Sequence, residues 1–115
     1  MHFIIKCLQI KLRKDKMKNI IFAESRTKGL ECFDKLIGEI PYKNICKVRK
    51  SNFDAYAELT DGTTYKVVVA SDSSRGYKCD RAYVDTNIEK SFVINVICPC
   101  LFMSNLSNDE QIMYF

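Results

Sequence analysis

Three groups of residues carry side chains that could do chemistry. The first sets two carboxylates near a lysine: Asp54, Glu58 and Lys66 fall on consecutive strand-like runs, 53–60 and 63–70. Metal-dependent nucleases place an acid on one strand and an acid-x-Lys on the next, so that the metal activates water and the lysine steadies the transition state. Here the residue two before Lys66 is Thr64, where that chemistry needs an acid. The second is Asp85, which closes the short apolar run Arg81-Ala82-Tyr83-Val84. An acid there serves either a magnesium–nucleotide site or the cap region of the next helix. The third is the loop 71–78, where Asp72, Ser73, Ser74, Arg75, Gly76 and Lys78 offer backbone donors, hydroxyls and cations. Such a loop suits phosphate or an acidic protein face. Lys47, Arg49 and Lys50 form a second basic patch.

Other chemistries lack their parts. The only histidine is His2, so nucleophilic mechanisms that need an imidazole beside a Ser or Cys have none in the body of the chain. No G-x-x-x-x-G-K-[ST] loop and no G-x-G-x-x-G fingerprint occurs, and the four glycines stand singly. The six cysteines follow no secretory signal, which predicts a reducing cytosolic compartment and buried free thiols. Structural zinc wants paired ligands; Cys98-Pro99-Cys100 is a C-x-C without a matching pair. No cofactor is expected.

These residues must be positioned by a small fold. A chain of 115 residues with 47% hydrophobic content has room for one core. No apolar run approaches the roughly 18 residues that span a bilayer. The net charge of +4 is uneven. Lys6, Lys11, Arg13, Lys14, Lys16 and Lys18 face Asp15 alone, and the rest is close to neutral. Basic arms contact nucleic acid or membrane surfaces; the other reading is an extension ahead of a native start at Met17. The expected organisation is a basic arm over 1–17, one α/β domain over 18–103 and a tail over 104–115.

Within the arm, residues 3–12 fit either an amphipathic helix or a strand. Ile20-Ile21-Phe22-Ala23 predicts a strand buried on both faces. Ser25 or Thr27 can cap a helix whose stripe is Leu30, Phe33, Leu36, Ile37 and Ile40, stopped by Pro41. Cys46 and Val48 alternate with Lys47 and Arg49, as in a half-exposed strand near a sheet edge. Asp61-Gly62 predicts a two-residue hairpin turn. That turn sets Leu59 opposite Thr64, Ala57 opposite Lys66 and Ala55 opposite Val68, and gathers Tyr56, Tyr65, Val67 and Val69 on the other face. Lys66 then lies away from Asp54 and Glu58. After the 81–85 strand, Thr86 or Asn87 caps a helix over 88–97 that Pro99 ends. The tail ends in an apolar cluster, frayed or docked as a short turn. The expected fold class is a small mixed α/β sheet with a β-hairpin and two helices, of P-loop-like half topology.

The order Leu-Thr-Asp-Gly-Thr, Ser-Ser-Arg-Gly-Tyr and Asp-Arg-Ala-Tyr-Val-Asp, over residues 59–85, resembles the segment of phage terminase large subunits and related superfamily-2 helicase-like ATPases that leads into the Walker B strand. The resemblance covers roughly 18–97, and its most specific matches are Asp61-Gly62, Arg75-Gly76, Asp80 and Asp85. It implies that Asp85 stands where those enzymes hold metal. Thr86 stands in place of their catalytic glutamate, and no Walker A loop precedes it. The resemblance therefore implies a fold relative or captured fragment rather than a motor. The expected function is a non-enzymatic phage or mobile-element accessory protein that binds a host or phage protein, such as a defence inhibitor or a packaging or replication accessory. Nucleic-acid binding through arm and loop, and a magnesium-dependent nuclease or ATPase fragment, are the alternatives.

Overall fold

The computed structural model describes residues 17–51, 55–71, 74, 76–101 and 111–115. His2, Cys7, the 3–12 element, Asp54, Asp72, Ser73 and Arg75 lie outside the described residues.

The chain is a mixed α/β fold. In chain order it runs β1 (Lys18–Ala23), α1 (Arg26–Gly38), β2 (Ile45–Lys50), β3 (Ala55–Leu59), β4 (Thr64–Val69), β5 (Arg81–Val84), a helical segment over 90–100 called α2, and β6 (Ile112–Tyr114). The six strands form one sheet in the order β2-β3-β4-β1-β5-β6. β1 runs parallel to β4 and β5, β5 runs parallel to β6, and the β2-β3-β4 side is antiparallel.

The continuous apolar run of β1 follows from its central place, with Ile20 to Ala23 buried and helices on both faces. On one face, Phe33 of α1 packs over Ile21, Ala55, Ala57 and Val67. Ser25 caps α1: its Oγ accepts from the Lys28 N–H at 3.4 Å. The helix lies close to the sheet at Gly29, where a Cβ would sit 2.6 Å from Val67 Cγ1. On the opposite face, α2 brings Val93, Ile97 and Cys100 over Ile20, Phe22, Ala82 and Val84.

Because β4 and β5 are both parallel to β1, the connection between them must lead from the carboxyl end of the sheet back to its amino end. The Asp80 N–H donates to the Lys18 carbonyl at 2.8 Å, closing that return. Tyr77 and Cys79 join the α2-side core on the way.

Several expectations change. The hairpin loop has three residues, not two: Leu59 donates to the Thr63 carbonyl at 2.8 Å, and Gly62 N–H donates to the Leu59 carbonyl at 3.0 Å. Gly62 takes φ 93°, the left-handed position that ends a three-residue hairpin loop. Asp61 Oδ1 also accepts from the Thr63 N–H at 2.8 Å, which fixes the turn. The pairs are therefore Glu58–Thr64, Ala57–Tyr65 and Tyr56–Lys66. One residue of slip reverses which side chains share a face. Lys66 sits with Tyr56 and Glu58, and Tyr65 moves to the α1 side with Ala57. Ala55 and Ala57 explain the choice: both are fully buried beneath α1 with Ile21, Phe33 and Val67, and this register adds the Tyr65 ring rather than Lys66 to that core beside Ala57.

The predicted 88–97 helix begins later and changes pitch. Lys90–Phe92 is α, Val93–Ile97 is π and Cys98–Cys100 is 3-10. Pro99 falls within the last turn rather than beyond the helix. Glu89, not Thr86 or Asn87, precedes the first turn. Part of the assigned tail enters the sheet, since Ile112 to Tyr114 pair with Ala82 to Val84.

Candidate functional site

The sheet face that carries α2 is covered only in part. By register, Lys47 and Arg49 of β2, Tyr56 and Glu58 of β3, and Thr64 and Lys66 of β4 point to the same side as Lys18 and Ile20 of β1. Residues 76–79 and α2 cover β1 and β5. Among the described residues nothing packs over β2 and β3 on this face, and Lys47 and Arg49 are exposed.

Across this open half, Arg49 pairs with Tyr56, and Tyr56 pairs with Lys66. The Lys66 ammonium stands 4.9 Å from the centre of the Tyr77 ring, a cation–π contact. A row perpendicular to the strands thus reads cation, ring, cation, ring. Two adjoining clefts run along it. One of about 540 Å³ is lined by Arg49, Ser51, Tyr56 and Lys66. The other, of about 390 Å³, shares Tyr56 and Lys66 and extends to Lys18, Gly76, Tyr77 and Lys78.

The acids nearby are Glu58 and Asp80. Glu58 accepts a hydrogen bond from the Tyr56 hydroxyl at 3.1 Å. Burial first, then the Glu58 hydrogen bond and charge, push the Tyr56 pKa up, with Arg49 opposing, so the phenol stays neutral. Asp80 Oδ2 accepts from the Lys18 backbone N–H at 2.8 Å. The Lys78 ammonium donates to the Pro99 carbonyl at 3.2 Å, anchoring the cleft rim to α2.

The basic patch of Lys47, Arg49 and Lys50 is divided by the pleat. Lys47 and Arg49 belong to the open face, whereas Lys50 turns to the α1 side and forms an ion pair with Asp34. In the 71–78 loop, Ser74 is fully buried and its Oγ accepts from the Ser71 N–H at 3.1 Å, so it offers no surface to a ligand. Gly76 and Lys78 are exposed and line the cleft.

Asp85 serves the frame. It is 1% exposed at the carboxyl end of β5, beside the end of β1. Oδ2 accepts from the Glu24 N–H at 3.0 Å and Oδ1 from the Asn87 N–H at 3.0 Å. The Lys28 ammonium lies 3.5 Å from Oδ1. Burial raises the carboxyl pKa, but the Asn87 and Glu24 N–H groups and Lys28 outweigh it, so the pKa falls below its ordinary value. The carboxylate ties β5 to the start of α1.

The expectation of buried thiols holds for Cys79 and Cys100 but not for Cys46, on the edge strand, or Cys98, which are exposed; Cys100 donates to the Val96 carbonyl at 3.1 Å. Among the described residues no three of His, Cys, Asp and Glu group so as to hold a metal, and no helix is long and apolar enough to cross a membrane.

Local pattern in the sequence does not bring Tyr56, Lys66, Tyr77 and Lys18 together. A signal is present in Thr60-Asp61-Gly62, which fits a three-residue loop as well as a two-residue one. Compared with known proteins, the chain matches no family model, no curated relative and no solved structure.

Proposed function

We propose that this chain is a nucleic-acid-binding module that works by binding and carries out no catalytic step. The observation that supports it most is the convergence of Arg49, Lys66, Lys18 and Lys78 with two tyrosines along the border between the open and covered halves of one sheet face. Clustered cations attract a phosphate backbone and release its counterions. The surface thereby moves from the 71–78 loop, favoured for a protein partner, to the sheet itself. The nuclease alternative needs an acid two before Lys66, where Thr64 stands, and the Glu58 carboxylate is engaged by the Tyr56 hydroxyl.

Titration of a labelled oligonucleotide with the full chain at several salt concentrations tests this. Affinity falls linearly on a log–log scale, with a slope of about 0.7–0.9 per neutralised phosphate. Exchanging Arg49→Glu and Lys66→Glu together lowers affinity at least about tenfold and flattens the slope by about one or two units. A double variant that binds like the parent would overturn the assignment.

A further inference from the structure

We infer that the strand taken by this face is single, and that a base stacks on Tyr56. This rests on the nucleic-acid reading and names its substrate class.

Two features point that way. The first is the order of the row, Arg49–Tyr56–Lys66 with Tyr77 beyond. Neighbouring strands lie about 4.8 Å apart, so Arg49 and Lys66 stand about 10 Å apart with a ring between them. Cations alone suit any polyanion. A ring set between them adds something only where a base is free to lie against it, and in a duplex the bases are stacked and paired inside. The second feature is relief. The cations line clefts of about 390 and 540 Å³, one of them rimmed by Gly76, Tyr77 and Lys78. Duplex readers commonly advance a projecting helix or ribbon into a groove about 12 Å wide. Here the cations lie along open clefts on a sheet face, and a single strand can lie in those clefts.

Tyr56 is the better stacking platform of the two rings. Tyr77 packs against the core and carries the Lys66 ammonium. The Tyr56 hydroxyl is held by Glu58, which fixes the ring in orientation. Glu58 also sets a carboxylate beside that ring, so the phosphates run along the Arg49 and Lys66 sides.

The test uses the full chain with three probes: short single-stranded oligothymidylate, a duplex of equal length, and polyglutamate as a stand-in for an acidic protein surface. The protein has no tryptophan and 6 tyrosines, so stacking is read directly as quenching of tyrosine fluorescence. The expected result is at least about tenfold preference for the single strand, with quenching. Tyr56→Leu then loses about tenfold affinity for the single strand, whereas Tyr56→Phe retains it, and circular dichroism verifies that both variants fold. Equal or tighter binding of the duplex overturns the single-strand inference and leaves the nucleic-acid reading standing. Polyglutamate binding as tightly as the oligonucleotide overturns both in favour of an acidic protein partner. Binding of none of the three probes retires both as well.

Discussion

One face of one sheet has two halves that differ in almost everything except their pleat. Where β1 and β5 lie under α2, the residues pointing up are Ile20, Phe22, Ala82 and Val84, all buried. Where β2 and β3 lie uncovered, they are Lys47, Arg49, Tyr56 and Glu58. The border runs between neighbouring strands, since Ile20 pairs with Lys66. What separates the halves is the placement of residues 76–79, which lie over the sheet on the return required because β4 and β5 are parallel to the same strand. The covered half supplies the stability that lets the open half gather cations. Like charges on one face gain nothing for folding, and they persist where something else holds the sheet.

Substitutions should separate the halves sharply. Phe22→Ala, on the covered side, removes a fully buried ring and should cost about 3–5 kcal/mol in urea unfolding. Survival with near-parental stability would show that α2 does not seal that core.

Asp85→Asn tests the tie at the carboxyl end of the sheet. Losing charged acceptors for buried N–H groups should cost about 1–3 kcal/mol at neutral pH. The sign of the pH dependence is set by the lowered pKa. Asp85 contributes fully above its ordinary value of 3.8 and loses that contribution as pH falls through the lower, folded value. The gap between variant and parent should therefore close in acid; a constant gap would mean that charge plays no part.

Gly62→Ala addresses the register that joins Tyr56 to Lys66. At φ 93° a Cβ is strained, and a loss of roughly 1 kcal/mol is expected. If the variant folds with no loss, the loop can be two residues long and the aromatic–cation row is not fixed.

The smallest effect on stability belongs to the open half. Arg49→Ala and Lys66→Ala should each stay within about 0.5 kcal/mol of the parent in unfolding, while shifting the salt dependence of oligonucleotide binding. A large loss of stability from either would place these cations in the frame.

Much of the fold was legible because it is written in local pattern. The unbroken run Ile20-Ile21-Phe22-Ala23 marks a strand covered on both sides, and the stripe through Leu30, Phe33 and Leu36 marks the helix that covers it. Cys46 to Arg49 alternate as an edge strand does, and they form the edge. Asp85 was legible as the end of a strand beside a turn, but the N–H groups of Glu24 and Asn87 that hold it are placed by folding. β6 was missed because three residues show no periodicity; its strand exists only by pairing with β5.

The open face was the least legible part, for a physical reason. By itself the sequence determined that a hairpin turns near Asp61-Gly62, and that Tyr56 and Lys66 flank it. Whether they meet depends on a single loop residue, because side chains alternate with a period of two. Tertiary packing made that choice by burying Ala55 and Ala57 under α1, with Gly62 supplying the backbone angle the longer loop needs. The cations were in the sequence; the surface that gathers them is a product of the fold.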